Sequence, residues 1–484
     1  MQDVFWKLDG WTLQEAMAEG QLTALELVCL SLDRIARLNP QLHALISINP
    51  HALATAEALD RQRKQGRLRG PLHGLPIVLK DNIDVGDGTC TTAGSWALAQ
   101  HRPAKDAWLV SKLRHAGAIV LGKTNLTEWA NFIAEEMPNG FSALGGQTKN
   151  PYGRDLDTGG SSSGTGSAVA SGLAVMGVGT ETSGSILSPA SEHALVGIKP
   201  TVGLISRSGI VPISHSQDTA GPMARCVQDA AAMLTAMVGE DPDDPATFAT
   251  QHTVSSDYTR FLNDQALHGT RIGLVKNPFW NRLTEAERTV MNRAVKILQE
   301  SGVQLVEELP YPPASASADI DVLFYEFGPA MERYLRTVDP GLGLKTLADL
   351  VQFNYAHQPQ AIPYGQDLFV RSLQMGGLEE PGYLQARVRD LQYARRWGLD
   401  RLFTEYRLDA VVFPANYGAT VPAKAGYPSV TVPAGCAADT GRPLGLTFTG
   451  PAFSEEQLLA LAYSFEQAAP QRALPTWSAE AEIR

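Results

Sequence analysis

The chain has 484 residues, of which 44% are hydrophobic and 19% are charged, a balance typical of a globular protein and not of a disordered or fibrous one. Its formal net charge of −11 at pH 7 is modest for this length and is spread along the chain, which argues against nucleic acid or an anionic membrane as a partner. The four cysteines lie far apart without CxxC spacing, so the sequence predicts neither a metal site nor a disulfide framework.

Targeting and membrane segments are not predicted either. The first residues, MQDVFWKLDGW, carry an aspartate and a lysine and no apolar run, unlike a signal peptide. No window approaches 18 uninterrupted apolar residues, the length that suggests a membrane-spanning helix. Together with the scattered cysteines, these features predict a cytoplasmic protein without membrane contact.

The first predicted elements alternate between helix and strand. Residues 11–66 are predicted to be helical, with apolar residues at helical spacing, Thr23 as N-cap and Glu26 three positions later. A short apolar run at residues 77–79 predicts a strand that ends at Lys80. The segment DAWLVSKLRHAGAIVLGKTN then predicts a helix, a glycine turn and a strand, which is typical of an α/β crossover.

From residue 139 to residue 224 the composition shifts to glycine, serine, threonine and alanine. SAVASGLAVMGVGT and VGIKPTVGLISRSGIV have the patterns of packed helix and strand, so we interpret this region as ordered and not as a linker. Residues 311–400 are predicted to be mostly helical, and strands are predicted on both sides of them. This order favours one large sheet with residues 311–400 as a helical cap or insertion, followed by strands and a final helix in residues 401–470.

Several segments of the glycine- and serine-rich region partly match known motifs. Ser185, in TETSGSILSPA, lies in a turn of small residues that suits a nucleophile. GSSSG, centred on Ser162, matches G-x-S-x-G but follows a turn-rich loop and not the strand that a nucleophile elbow requires. The phosphate and dinucleotide patterns fail, because no lysine follows the glycines and the last glycine of G-x-G-x-x-G is missing.

A serine nucleophile needs a base, and the sequence offers two kinds. His73, His193 and His215 are histidine candidates, but no spacing favours any of them over a structural role. Lys80 is the alternative, because a lysine that is desolvated by the protein can have a pKa near neutrality instead of about 10.4. The apolar strand that leads to Lys80 suits such burial.

Three long segments resemble the amidase signature family. PLHGLPIVLKDNIDV is similar to its lysine segment, DTGGSSSGTGSAVASGLAVMGVGTETSGSILSPA to its glycine- and serine-rich signature, and VGIKPTVGLISRSGIVPISHSQDTAGPMAR to the segment that follows. Similarity at LTALELV and at AGYPSVTVPAG extends the match over most of the chain. The segments LFYEFGPAMERYL, LADLVQFNYAH and YGQDL resemble the branch that contains bacterial peptide amidases.

The resemblance implies a single domain over residues 1–484 of the α/β class. It would have a twisted, mixed and mostly parallel sheet flanked by helices. Helices would occupy residues 1–66, the catalytic core residues 67–225 and the helical cap about residues 311–400.

The resemblance also implies a catalytic site. Lys80 corresponds to the base, Ser161, preceded by a cis peptide bond, to a bridging serine, and Ser185 to the nucleophile. The oxyanion hole corresponds to the backbone N–H groups of Thr182, Ser183, Gly184 and Ser185. No metal and no organic cofactor is expected.

Two positions differ from the family pattern near the nucleophile. Ser183 stands where most relatives have glycine, although peptide amidases also have another residue there. Leu187 stands where many relatives have arginine, so the support of this loop must come from elsewhere. Glu181 occupies a position that is usually acidic in the family and is expected to fix the loop.

The resemblance implies an amide hydrolase that cleaves a small or peptide-like carboxamide through a covalent acyl-enzyme. Alternatives are an acyl transferase or amide synthase with the same acyl-enzyme, the glutaminase subunit of a tRNA-dependent amidotransferase, and an inactive binding scaffold. No basic patch for tRNA is visible, and a homodimer is compatible with the sequence.

Substrate-binding residues are sought in the cap, where aromatic residues could line an acyl pocket. The candidates in the cap are Phe324, Tyr325, Phe353 and Gln366, with Phe327, Tyr334, Tyr355 and Tyr364 as further aromatic residues. Aromatic residues at helical spacing more often form the core, and Gln366 is a candidate only through its place in YGQDL.

Overall fold

A computed structural model describes residues 5–250, 255–312, 319–469 and 472–475. Its strands are β1 (Leu45–Ile48), β2 (Pro76–Lys80), β3 (Ile119–Thr124), β4 (Phe141–Ser142), β5 (Gly146–Gln147), β6 (Met176–Glu181), β7 (Val196–Lys199), β8 (Thr219–Ala224), β9 (Arg271–Leu274), β10 (Gln304–Val306), β11 (Ala410–Pro414), β12 (Ser429–Cys436) and β13 (Pro443–Thr449). Eleven of them form one sheet in the order β1-β3-β2-β6-β8-β7-β12-β13-β11-β9-β10, and β4 pairs with β5.

Helices surround this sheet. They are α1 (Gly10–Ala18), α2 (Ala24–Leu42), α3 (Ala52–Lys64), α4 (Trp108–His115), α5 (Ser163–Ala170), α6 (Leu187–Glu192), α7 (Val227–Met237), α8 (Glu285–Glu300), α9 (Asp321–Leu335), α10 (Leu347–Ala356), α11 (Asp367–Leu373), α12 (Pro381–Leu391), α13 (Asp400–Glu405), α14 (Thr420–Ala425) and α15 (Glu455–Ala468). A π-helical segment, Gln392–Leu399, joins α12 to α13. Within the described ranges, no helix is both long and apolar enough to cross a membrane.

Parallel pairing is confined to the two flanks of the sheet. Strand β2 pairs in parallel with β3 and β6 at one flank, and β9 pairs in parallel with β10 and β11 at the other. The neighbours from β6 through β8, β7, β12 and β13 to β11 are antiparallel, and so are β1 and β3. The prediction of an α/β domain with a mixed sheet flanked by helices is confirmed, with parallel pairing less extensive than predicted.

Connection lengths explain where parallel pairs occur. A parallel pair needs a crossover, usually a helix, and α4 supplies it between β2 and β3, as α8 does between β9 and β10. Strands β12 and β13 are joined by a short turn, which allows only antiparallel pairing. The crossover predicted from DAWLVSKLRHAGAIVLGKTN is thus present, and it places the end of β2 beside β3.

The N-terminal region contains a strand that the helical prediction for residues 11–66 missed. Helix α2 begins as predicted, because Thr23 accepts a hydrogen bond from the Glu26 N–H and the Glu26 carboxylate accepts one from the Thr23 N–H. Strand β1, however, follows and pairs antiparallel with β3. The prediction was wrong there, because LISI is too short for periodicity to separate strand from helix, and its pairing partner lies far along the chain.

We call helices α9 to α13 and the π-helical segment the cap helices. Helices α9 to α11 share a hydrophobic cluster, the cap cluster, with Trp129 and Phe132. Phe324 and Phe327 of α9 pack on Phe132, with ring centroids 5.6 and 4.9 Å apart. Trp129 contacts Phe369 of α11 at 5.5 Å. The cap helices therefore pack onto the segment that follows β3. Within the range predicted to be helical, the first helix begins at Asp321, and residues 313–318 lie outside the described residues.

Candidate active site

Lys80 is the last residue of β2, and its side chain is fully buried. Its Nζ lies 2.8 Å from Ser161 Oγ, 2.9 Å from Thr180 Oγ1 and 3.3 Å from the Thr180 carbonyl oxygen. Thr180 is in β6, which pairs directly with β2, so the sheet itself fixes this partner. The structure thus brings together two of the three residues predicted to be catalytic.

The surroundings of Lys80 favour its uncharged form. Burial lowers the pKa of Lys80 to about 7, although the charges of Glu181 and Asp218 act in the opposite direction. An ammonium has three donors and no acceptor, whereas a neutral amine has two donors and one lone pair. The two oxygens of Thr180 can accept the two hydrogens, and the Ser161 hydroxyl can donate to the lone pair. The site can therefore hold a base at neutral pH.

Ser161 lies in a closely packed loop just before α5 and is fully buried. The Gly160–Ser161 peptide bond is cis, as the resemblance implies. The Ser161 carbonyl oxygen accepts a hydrogen bond from the Thr127 N–H at 3.0 Å. A Cβ atom on Gly160 would lie 2.5 Å from Asn139 Oδ1 and 2.7 Å from Thr127 Oγ1, so a larger residue does not fit there. These contacts hold the Ser161 hydroxyl against Lys80.

Ser162, the centre of GSSSG, has a structural role. Its hydroxyl donates to the Thr180 carbonyl oxygen at 3.1 Å and accepts from the Thr180 N–H at 3.2 Å. It is fully buried, and it follows a loop and not a strand. These contacts agree with the prediction that the segment is not a nucleophile elbow.

Residues 182–185, which we call the Ser185 turn, connect β6 to α6. Ser183 is exposed and Ser185 is partly exposed, whereas the surrounding residues are buried. The Ser162 N–H donates to the Ser185 carbonyl oxygen at 3.2 Å, which places the turn beside the Ser161 loop. Gly184 has a φ of 87°, a conformation that suits glycine. Ser185 is therefore accessible from solvent and adjacent to the buried pair of Lys80 and Ser161.

The Ser185 turn presents free backbone donors. Among the described residues, none accepts a hydrogen bond from the N–H groups of Ser183, Gly184 or Ser185. The next two N–H groups, of Ile186 and Leu187, donate to Glu181 Oε2 at 2.7 and 3.0 Å. Buried Glu181 thus supports the loop, as expected, and its contacts include the N–H group of Leu187. The free N–H groups can bind an anion.

Asp218 is a site residue that sequence reasoning missed. Its Oδ1 accepts a hydrogen bond from Thr182 Oγ1 at 2.6 Å, and its Oδ2 accepts from the N–H groups of Ile213 and Ser214, both at 2.8 Å. Burial raises the pKa of Asp218 to about 6, against the effect of these hydrogen bonds. The antiparallel pairing of β6 with β8 brings Asp218 to Thr182, and no local sequence pattern indicates that pairing.

The three histidines do not serve Ser161 or Ser185. His73 Nε2 lies 3.0 Å from the Leu59 carbonyl oxygen, and His193 Nδ1 lies 2.7 Å from that of Pro189. Burial lowers the pKa of His193 to about 4. His215, with a side chain 48% exposed, lies 3.4 Å from the Glu326 carboxylate. None of their described hydrogen bonds reaches either serine, which leaves Lys80 as the basic group at the site.

The candidate substrate-binding residues of the cap contact other side chains of the protein. Phe324 is fully buried in the cap cluster, where the Arg371 guanidinium lies 4.0 Å from its ring centroid. Tyr325 packs on Tyr383, and Phe353 stacks on His357. No described hydrogen bond or ring contact joins Phe324, Tyr325 or Phe353 to Ser161 or Ser185. Their substrate-binding role stays a prediction.

The side chain of Gln366 is hydrogen-bonded to residues of helix α10. Its Oε1 accepts from Asn354 Nδ2 at 2.9 Å, and its Nε2 donates to the Val351 carbonyl oxygen at 3.2 Å. It borders a cavity of about 430 Å³ that is also lined by Tyr355, Gln358, Ile362, Gly365, Asp367 and Val370. The amide group of Gln366 is thus occupied by protein partners, and its binding role also stays a prediction.

We expect Lys80→Met to raise the melting temperature at pH 7 by about 2–5 °C, although the substitution removes hydrogen bonds. The unfolded chain keeps the Lys80 proton up to its ordinary pKa of 10.5, whereas the folded protein releases it near pH 7. Between these values the unfolded state binds more protons, so the wild-type free energy of unfolding rises with pH. In thermal melts, the advantage of the variant should be largest at and below pH 7 and should shrink towards pH 10. A wild-type protein that is the more stable at pH 7 would contradict the lowered pKa.

The chain is similar to known proteins over most of its length. The family model described as Amidase matches residues 26–424. A probable amidase of Arabidopsis thaliana is 38% identical over 478 residues, which cover 96% of this chain and 91% of the relative. A glutamyl-tRNA(Gln) amidotransferase subunit of Carboxydothermus hydrogenoformans is 31% identical, and the alignment covers 95% of this chain and 97% of that protein.

Solved structures show the same relationship over nearly the whole chain. The peptide amidase of Stenotrophomonas maltophilia is 45% identical, with a TM-score of 0.92 over 97% of this chain and 98% of that one. An amidase family protein of Bacillus anthracis is 34% identical, with a TM-score of 0.93 over 98% and 94% of the two chains. By sequence, by fold and by the family model that matches most of its length, this chain belongs to the amidase signature family of amide-hydrolysing enzymes.

Proposed function

We propose that the protein hydrolyses a small or peptide-like carboxamide through a relay of Lys80, Ser161 and Ser185 and a covalent acyl-enzyme. The observation that carries this proposal is the distance of 2.8 Å between Lys80 Nζ and Ser161 Oγ, in a setting that lowers the pKa of the lysine to about 7. A buried amine that has a pKa near neutrality and touches a serine hydroxyl has the properties of a general base.

In the first half-reaction, the Lys80 lone pair accepts the proton of Ser161 as Ser161 accepts the proton of Ser185. Ser185 Oγ then forms a bond to the carbonyl carbon of the substrate, and the carbonyl oxygen becomes an oxyanion. The free N–H groups of the Ser185 turn are available to this oxyanion, and a correctly aimed donor contributes about 3–4 kcal/mol to the stability of the transition state.

Collapse of the tetrahedral intermediate breaks the C–N bond, and the relay returns its proton to the leaving nitrogen as ammonia or an amine departs. The second half-reaction runs the same steps with water. Water gives a proton to the relay and its oxygen attacks the acyl carbon, after which Ser185 leaves with the returned proton. Every step uses side chains and backbone groups of this chain.

The similarity to a peptide amidase supports a substrate with peptide character. That protein from Stenotrophomonas maltophilia is 45% identical and aligns over almost the whole chain. An alternative is glutamine hydrolysis as part of an amidotransferase, which the 31% identity to the glutamyl-tRNA(Gln) amidotransferase chain of Carboxydothermus hydrogenoformans favours. Transfer of the acyl group to an amine instead of water is a second alternative, because the residues of the relay do not determine which acceptor reaches the acyl-enzyme.

We expect a fluorophosphonate probe to label the wild-type protein at Ser185, because such probes phosphonylate activated serines. Intact-mass and peptide mass spectrometry would locate the adduct. Ammonia release would then be followed with C-terminally amidated peptides, short aliphatic amides, aryl amides and glutamine. Turnover of amidated peptides supports the proposal, and products captured by an added amine indicate acyl transfer.

Three results would contradict it. Labelling at another serine would reject Ser185 as the nucleophile. Turnover of glutamine alone would favour the amidotransferase role. Failure of both labelling and turnover would favour a scaffold that has kept the fold and lost the activity.

A further inference from the structure

A carboxylate of the cap helices lies at the centre of a hydrogen-bonded cluster beside the site. Glu326, in α9, is fully buried. Its Oε2 accepts hydrogen bonds from Ser214 Oγ and, at 3.0 Å, from the Ser216 N–H. Its Oε1 accepts from Tyr383 Oη of α12 at 2.8 Å. The carboxylate therefore ties two cap helices to the segment that precedes β8.

The same segment is bound to the Ser185 turn from its other side. Residues 213–218, which we call the bridging loop, end at Asp218, whose Oδ2 accepts from the loop's own N–H groups at Ile213 and Ser214. Asp218 Oδ1 accepts from Thr182 Oγ1 at 2.6 Å, and Gln217 Nε2 donates to the Thr182 carbonyl oxygen at 3.2 Å. The bridging loop thus binds the hydroxyl and the carbonyl oxygen of Thr182, the first residue of the turn.

We propose that Glu326 is a positioning residue for amide hydrolysis, acting through Ser214 and Asp218 to set the Ser185 turn. This inference rests on the proposed function, because it assigns a purpose to the geometry of that turn. Ser214 is the shared member, since its hydroxyl binds Glu326 and its N–H binds Asp218. Three successive hydrogen bonds therefore lead from a cap helix to Thr182.

The role proposed for the Ser185 turn predicts which kinetic constant should change when Glu326 is replaced. The N–H groups of the Ser185 turn become important only when negative charge develops on the carbonyl oxygen. A displacement of the turn therefore weakens the binding of the transition state more than the binding of the substrate. Such a loss lowers kcat with little change in KM. A residue that only stabilised the fold would change neither constant in the folded protein.

The test is Glu326→Gln, assayed on a C-terminally amidated peptide or on the best amide found in the substrate screen. The carboxamide keeps the size of the side chain but replaces one acceptor oxygen by a donor, so it cannot accept from Ser214, Ser216 and Tyr383 together. We expect kcat to fall about tenfold and KM to change less than twofold. Asp390→Asn is the matched control, since Asp390 of α12 pairs with Lys424 of α14 at 2.6 Å, also buried and also joining a cap helix to another element.

Thr182→Val tests whether Glu326 acts on the Ser185 turn through the hydrogen bonds of Ser214 and Asp218. If Glu326 acts through the bridging loop, the two substitutions are not additive, and Glu326→Gln lowers kcat by less than about twofold in the Thr182→Val background. Where Glu326→Gln does not fold, Ser214→Ala removes one contact of the same route and should lower kcat about threefold at constant KM.

Unchanged kcat in folded Glu326→Gln would overturn the inference. An equal loss in Asp390→Asn would overturn it too, as would kcat losses that multiply fully in the double variant. These results leave the relay untouched, because the Ser185→Ala and Lys80→Met variants test the relay separately.

Discussion

Ser185→Ala is expected to lower kcat for a peptide amide by at least about 10⁴-fold, the scale of loss when a serine nucleophile is removed. In the proposed reaction, the substitution takes away the atom that forms the acyl bond. The fold should be unaffected. No described residue hydrogen-bonds to Ser185 Oγ, and the turn is supported by Glu181 and by the bridging loop. Steady-state kinetics and thermal melts would measure both effects.

Ser183→Ala is the control for this prediction. Ser183 lies in the same turn, and its exposed hydroxyl can be removed while its N–H group stays in place. We expect its kcat to remain within about threefold of the wild-type value. Substantial turnover by Ser185→Ala would show that another residue attacks the amide. A large loss in both variants would instead show that the turn tolerates no substitution, and Ser185 would then have no special role.

Lys80→Met should also lower kcat by at least about 10³-fold, at the pH at which the wild-type protein is most active. Without the amine, the proton of Ser161 has no acceptor, while methionine fills a similar volume in the same buried place. In the wild-type protein, kcat/KM should rise as the pH passes through about 7, because Lys80 must lose its proton to act as a base. In the variant this rise should be absent from the residual rate, which a pH profile between 5 and 9 would measure.

Lys199→Met provides a matched comparison. Lys199 ends β7, is fully buried, and has a pKa that burial lowers to about 8. Its Nζ donates to the carbonyl oxygens of Tyr427 at 2.6 Å and of Pro200 at 3.2 Å, and not to a serine. The folded variant should keep most of its activity. Equal inactivation of both lysine variants would indicate that any buried amine is needed for the fold, and would remove the argument for Lys80 as the base.

The sequence allowed much of the site to be anticipated, because its key segments are local. An apolar run that ends in a lysine predicted a buried Lys80, and the resemblance assigned Ser161 as its partner 81 positions along the chain. Thr180 and Asp218 were not found. Thr180 binds Lys80 because β6 lies beside β2, and Asp218 binds Thr182 because β8 lies beside β6. Strand order decides such partners, and a single sequence does not reveal strand order.

The cap was harder to predict for a different reason. Aromatic and amide residues on its helices look the same in sequence whether they face a ligand or one another. Phe324 is fully buried in the cap cluster, and Gln366 is hydrogen-bonded to Asn354. Glu326 had no sequence signal at all, since its partners, among them Ser214, lie 57 to 112 positions away. Long-range polar contacts of this kind become visible only in the three-dimensional structure.

The order of the strands also bears on how the chain is made. Strand β7 pairs with β12, where Lys199 lies opposite Ser429. The edge of β7 that binds β12 therefore stays unpaired until about 230 further residues have left the ribosome. At a synthesis rate of about 5–20 residues per second, that interval is on the order of ten seconds or more. A nascent chain of this enzyme therefore carries an unpaired strand edge for this whole interval. We expect chaperones to bind this edge until β12 and β13 have been synthesised and can pair with the sheet.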